Sequence, residues 1–281
     1  MKYPRILAAL QSARWAVTPE TLQAIRDTLS ARLSGKLAVM DDYDDDDTHT
    51  VEPFEMITPG VAVVQLAGII GKNLSSLEMM CGGCDIGRVE QNLAAALASP
   101  GVGSVILHIS SPGGTVNGVA EFSAKISTMS AESGKPVHAY MDEQGCSAAY
   151  WIACGCNGIA CSPSSDVGSI GIYMALVDES ENWAKEGYRL VLIKSGEFKA
   201  AGMPGSKITD AQIALWQADV DYIYAQFSGA VKETRPNVSD DAMRGQVFYG
   251  PMALAAGLVD KIVPDLNAMA EEVSPSFSQF G

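Results

Sequence analysis

The chain has 281 residues, 47% of them hydrophobic, and a formal net charge of −14 at pH 7. That length allows one large α/β domain with appendages or two small domains, and the apolar content supports a sizeable core. The negative balance argues against a nucleic-acid binder, which would carry a basic patch, and no stretch reaches the roughly 18 apolar residues of a membrane helix.

The N-terminus resembles an export signal briefly, but Gln11, Ser12 and Arg14 interrupt its apolar run. A soluble cytoplasmic protein without a membrane anchor is expected. Pro19 to Leu33 reads as a helix, with Thr18 as its cap, Pro19 in its first turn and Gly35 beyond its end. The acidic run Asp41-Asp42-Tyr43-Asp44-Asp45-Asp46-Asp47 follows and reads as a solvated linker, because like charges repel. The expected organisation is an N-terminal helical extension (1–40), an acidic linker (41–51), one compact domain (52–265) and a C-terminal tail (266–281).

Within the domain, Val61 to Ile70 is Val-rich and reads as a buried strand. Ile86 to Leu97 reads as a helix capped by Asp85. Ser104 to Ser110 is a strand ending in Ser111-Pro112-Gly113-Gly114. Val116 to Ser130 is helical, Val137 to Met141 a strand, and Ser147 to Cys154 the start of another helix. Ile170 to Val177 and Arg189 to Ile193 read as strands flanking a helix from Glu179 to Glu186. Thr209-Asp210-Ala211-Gln212 is a capping box opening a long helix to about Val231, with Leu215, Tyr222, Phe227 and Val231 as its buried side. Gly250-Pro251 opens a short helix. This alternation predicts a mostly parallel sheet covered by helices.

Six cysteines in a chain without an export signal are expected to be reduced thiols. Cys81-Gly82-Gly83-Cys84 has a spacing known from zinc and redox sites, but no second pair completes a ligand set, so the two cysteines read as incidental.

Three segments carry chemistry. Ser147 stands in Gly145-Cys146-Ser147-Ala148-Ala149, between small residues at a helix start. A serine hydroxyl needs a base beside it to act as a nucleophile. Ser147 alone reads more readily as a helix cap, a common place for serine. Ser111-Pro112-Gly113-Gly114 can aim backbone N–H groups into a cleft, as an oxyanion hole requires, and is also an ordinary turn after a strand. Lys194, Lys199 and Lys207 lie in or beside a glycine-flanked segment, and spacing does not choose among them as base. A lysine base has to be neutral, which takes burial or nearby positive charge. Ser169, between Gly168 and Ile170-Gly171, could hold a lysine amine. His108 and His138 fall within apolar strands and His49 beside the acidic linker, so no histidine has a triad context.

Taken in order, Ser-Pro-Gly-Gly, the Cys-Ser-Ala-Ala-Tyr-Trp serine, Gly168-Ser169-Ile170-Gly171-Ile172 and Lys194-Ser195-Gly196-Glu197-Phe198-Lys199 resemble the signal peptide peptidase A family of Ser-Lys serine proteases. Val247-Phe248-Tyr249-Gly250 with Ala255-Ala256-Gly257-Leu258-Val259-Asp260 resembles that family's closing motif. The resemblance covers about Val61 to Ile262. It implies a fold similar to Clp protease and crotonase. It also implies Ser147 as nucleophile, Lys199 as general base, Ser169 as the hydroxyl that positions the lysine, and Gly114 with the Ala148 N–H as oxyanion donors. No metal or organic cofactor is implied. Where family members often have Gly-Gly after the serine, this chain has Ala148-Ala149, which keeps the site small. The short form, the N-terminal extension and the missing anchor resemble the bacteriophage and prophage capsid-assembly branch. That branch implies a peptide or protein substrate, phage head or scaffold proteins as partners, and a setting in the host cytoplasm or a procapsid. It also implies a ring or dome of identical subunits, in which the lysine can come from a neighbour. The rivals are a cytoplasmic peptidase for hydrophobic or signal peptides, an inactive head or scaffold component on the same fold, and a crotonase-like acyl-CoA enzyme.

Overall fold

The computed structural model describes residues 15–18, 21, 23, 27 and 52–275. Thr21, Gln23 and Asp27 are helical; the rest of the expected N-terminal helix and the acidic linker lie outside the described residues. The chain divides into two compact units: Ala16–Gly171 with Phe227–Gly281, and Met1–Trp15 with Ile172–Gln226.

The larger unit is an α/β body. Its strands and helices run β1 (Trp15–Val17, whose first residue belongs to the smaller unit), β2 (Glu55–Thr58), β3 (Gly60–Ala67), β4 (Ile69–Gly71), α1 (Ser76–Met80), β5 (Gly83–Asp85), α2 (Ile86–Ala98), β6 (Val102–Ser111), β7 (Gly113–Thr115), α3 (Val119–Ser133), β8 (Val137–Cys146), α4 (Ala148–Ala153), β9 (Gly158–Cys161) and β10 (Asp166–Gly168). α5 (Ser180–Lys185) lies in the smaller unit, and α6 (Asp210–Thr234) runs through Gln226 in that unit and from Phe227 in the larger one. β11 (Val247–Tyr249), α7 (Gly250–Ala255), β12 (Lys261–Ile262) and α8 (Leu266–Val273) complete the larger unit.

The main sheet has the order β11-β10-β8-β6-β3-β2, with β9 on β8 and β12 on β9. β3, β6, β8, β9, β10 and β12 pair in parallel, while β2 and β11 are antiparallel edges. A second sheet runs β1-β7-β4-β5. β3 and β6 are buried along most of their length, the pattern of a sheet covered on both faces. The stretch assigned to the tail contains α8, whose Met269 and Ala270 pack with Val63, Ile106, Tyr140 and Ala160 on one sheet face.

Several sequence expectations hold. Asp85 caps α2, accepting from the N–H groups of Gly87 and Arg88. The capping box is formed: Thr209 N–H donates to Gln212 Oε1 at 3.1 Å and Gln212 N–H to Thr209 Oγ1 at 3.3 Å. Others need correction. Val61 to Ile70 is two strands, because Gly68 turns the chain at φ 97° and carries it into the second sheet. Ile170 to Val177 and Arg189 to Ile193 are not strands; a single β-bridge joins Tyr173 to Trp15, and Ile193 is 99% exposed. Leu215 and Tyr222 are exposed, Tyr222 at 69%, whereas Phe227 and Val231 are buried. Leu215, Tyr222 and most of the two misread strands belong to the smaller unit. Apolar periodicity reports a buried face only where something covers it.

Candidate active site

β8 delivers the chain to Ser147 and α4 carries it away, a strand–turn–helix in which the serine is the turn. Ser147 has φ 57° and ψ −116°, and its side chain caps nothing in α4. The helix-cap alternative therefore falls. A non-glycine residue in this region costs on the order of 1–3 kcal/mol, and such strain collects at functional sites, the serine of a nucleophile elbow among them.

The surrounding structure holds this conformation. Ser147 N–H donates to the Gly168 carbonyl at 2.8 Å, and its own carbonyl accepts from Trp151 N–H at 2.9 Å. Every residue of α4 is buried. Trp151 stacks on Phe227 with ring centroids 4.7 Å apart and 5° between the planes, and Tyr150 Oη donates to the Leu258 carbonyl at 2.7 Å. The turn is thus fixed from beneath by packing that a polar surface loop could not provide.

The glycine turn lies against this serine. Gly113 has φ 100°, and a Cβ there would overlap the Ala16 carbonyl oxygen and stand 2.9 Å from Ser147 Cβ. A Cβ on Gly114 would overlap the Ile70 carbonyl, because β7 pairs closely with β4 at that point. Ser111 braces the turn: its Oγ donates to the Gly68 carbonyl at 2.6 Å and accepts from Gly113 N–H at 3.2 Å. Ser169 follows the residue that holds Ser147. It has φ 50°, is buried, and its N–H donates to the Gln246 carbonyl at 2.7 Å. Gln246 carried no signal in the sequence, since it acts through its main chain. The structure thus brings Ser147 together with Gly113 and with the Gly168-Ser169 turn.

Lys199 lies in the smaller unit on an exposed segment, its N–H donating to the Gly196 carbonyl at 3.3 Å. Of the two lysines it was weighed against, Lys194 Nζ donates to the Glu197 carbonyl at 2.5 Å, and Lys207 is exposed.

The neighbouring cysteine is not a competing nucleophile. Burial chiefly, with the nearby Asp166 carboxylate, pushes the Cys146 thiol up to about 12, and its S–H donates to the Asp166 carbonyl at 3.5 Å. A thiol so placed stays protonated at neutral pH. His108 Nε2 lies 2.8 Å from Asp142 Oδ2, off the hydrogen-bonding direction, and its ring stacks along Tyr140. It serves the sheet and not a serine. Among the described residues no three His, Cys, Asp or Glu side chains converge as a metal site, and no helix is long and apolar enough to cross a membrane.

A model of peptidase family S49 matches residues 130–273, just over half the chain, and takes in the Ser147 elbow, the Gly168-Ser169 turn and Lys199. The chain belongs to peptidase family S49. Similar proteins include capsid assembly protease C of Escherichia phage lambda, 26% identical over 90% of this chain and 56% of that one. Head-tail preconnector protein GP5 of Enterobacteria phage P21 is 27% identical over 84% of this chain and 47% of its own. The S49 chain described here therefore spans about half the length of these relatives. Among solved structures, the 1510-N membrane-bound stomatin-specific protease aligns at 19% identity over 77% of this chain and 80% of that one, with a TM-score of 0.40. That alignment is loose, and the fold rests on the strand order given above.

Proposed function

We propose that this S49 chain is a serine endopeptidase in which Ser147 is the nucleophile and Lys199 the general base. The observation that carries the reading is the strained Ser147 turn, buried beside Gly113 and held by the Gly168 carbonyl. Ser147 Oγ attacks the peptide carbonyl carbon while the neutral Lys199 amine takes the hydroxyl proton. The Gly114 and Ala148 N–H groups stabilise the oxyanion. The same lysine then passes the proton to the leaving amine and activates water for hydrolysis of the acyl-enzyme. Ser169 orients the amine. The small residues around Ser147 favour extended peptides with small or hydrophobic side chains.

Lys199 is exposed in the single chain, whereas a lysine base has to be desolvated. The proposal therefore includes a ring or dome of identical subunits in which a neighbour covers or supplies the lysine. The apolar side chains Val177, Tyr188, Val191, Ile193 and Tyr222, all strongly exposed in the smaller unit, are surface suited to such contacts. Similarity to the lambda and P21 proteins supports a role in phage or prophage head maturation, with head or scaffold proteins as substrates, in the host cytoplasm or a procapsid.

A fluorophosphonate probe tests the chemistry. Labelling of Ser147 in the assembled protein, lost in Ser147→Ala and reduced at least a hundredfold in Lys199→Ala, is the expected result. No labelling under assembled conditions would leave an inactive head component as the better reading. Mixing the two variants tests sharing: recovered activity means that the base crosses between subunits.

A further inference from the structure

The segment Ala16–Thr18 meets the site from a part of the sequence far from it. Ala16 and Val17 are buried, and β1, to which they belong, is the neighbour of β7 in the second sheet. Thr18 N–H donates to the Pro112 carbonyl at 3.2 Å. The Ala16 carbonyl oxygen packs so tightly on Gly113 that a Cβ there would overlap it, and that same Cβ would lie 2.9 Å from Ser147 Cβ. One glycine thus has the main chain of Ala16 and the side chain of Ser147 against the same point. The opposite edge of β7 is taken by β4, through Ile70 and Gly114. An extended peptide that is to reach Ser147 by pairing with β7 needs the edge that Ala16–Thr18 holds.

We propose that the β7 edge beside Ser147 is the peptide-binding edge of this protein, and that its own segment Ala16–Thr18 occupies it and competes with substrate. The inference rests on the reading of Ser147 as nucleophile. Strand addition of this kind draws affinity from main-chain hydrogen bonds and selectivity from alternate side chains. Ala16 is the smallest side chain that keeps the strand, Val17 and Thr18 are β-branched, and Pro19 has no N–H with which to extend the pairing. The ligand class is therefore an extended peptide with a small uncharged residue opposite Gly113. Ser147, 1% exposed, is screened while the segment is in place. Substrate binding is weakened by the fraction of molecules in which the edge is filled.

Two full-length variants test this. Thr18→Pro removes the donor to Pro112, and Ala16→Lys puts a charge at a fully buried position. Both are expected to label with the fluorophosphonate probe faster than wild type, Thr18→Pro by about fivefold, the worth of one hydrogen bond of about 1 kcal/mol. For peptide hydrolysis KM falls while kcat is unchanged, and the synthetic hexapeptide Trp-Ala-Val-Thr-Pro-Glu slows labelling of the variants competitively. A third measurement needs no variant: a peptidyl phosphonate on wild-type Ser147 should speed hydrogen exchange at the Ala16, Val17 and Thr18 amides. Labelling of Ser147 at equal rates in all forms, no competition by the hexapeptide and unchanged exchange would overturn the occupancy and leave the peptidase reading intact. Failure of every form to label would remove the peptidase reading and this inference with it.

Discussion

Replacing Ser147 by glycine should stabilise the protein while abolishing its chemistry. At φ 57° and ψ −116° a residue with a Cβ carries strain on the order of 1–3 kcal/mol, and glycine relieves it. Glycine also loses more chain entropy on folding, which costs about 0.5–1 kcal/mol. The balance favours Ser147→Gly over Ser147→Ala by about 1 kcal/mol, since alanine keeps the Cβ and the strain. That corresponds to roughly 2–4 °C in Tm for a domain of this size. Both variants lose the hydroxyl and fail to label with fluorophosphonate, so function does not confuse the comparison. Differential scanning calorimetry and urea unfolding of the two, side by side, measure the difference. If alanine equals or exceeds glycine, the turn is not strained and the elbow argument for Ser147 fails.

Gly114→Ala forces a Cβ into the Ile70 carbonyl and should lower kcat at least tenfold, while Gly101→Ala, with open space around it, should change neither kcat nor stability by a measurable amount. Tyr150→Phe leaves the buried Leu258 carbonyl without its donor and should cost about 1–3 kcal/mol in urea unfolding. His138 is held below its ordinary 6.5 mainly by burial, with the Lys261 ammonium adding to this and Asp260 opposing it. The unfolded chain then takes up this proton first as pH falls, so the contribution is present above about 6.5 and is lost as pH drops from there through the folded value. His138→Asn should flatten the pH dependence of stability in that range; an unchanged slope would assign it to other groups.

Much of the larger unit could be read from the sequence because its cues are local or periodic. Asp85 before Ile86 and the valine-rich runs each state their structure within a few residues, as Thr209 with Gln212 does in the smaller unit. The motif order led to a neighbourhood that the fold brings together: Ser147 lies in the turn between β8 and α4, beside Gly113, and is held by Gly168, the residue before Ser169. Positive φ at Ser147 and Ser169 could not be read, because neither is glycine and the strain is imposed by α4 and by Gln246. The smaller unit misled, since Val191, Ile193 and Tyr222 have apolar patterns but stand exposed among the described residues. Nor does anything in Trp15-Ala16-Val17 announce a strand partner nearly a hundred residues away.

The split of the larger unit around Ile172–Gln226 imposes an order of events during synthesis. Ser147 and α4 leave the ribosome early, but Phe227, the ring on which Trp151 lies, comes only after the whole intervening segment, Lys199 included, has been made. At the usual pace of translation that gap lasts several seconds. Until it closes, the helix behind the serine lacks its aromatic cover and the strained turn lacks part of its support. A nascent chain therefore completes the packing behind Ser147 only after the Ile172–Gln226 segment has been made.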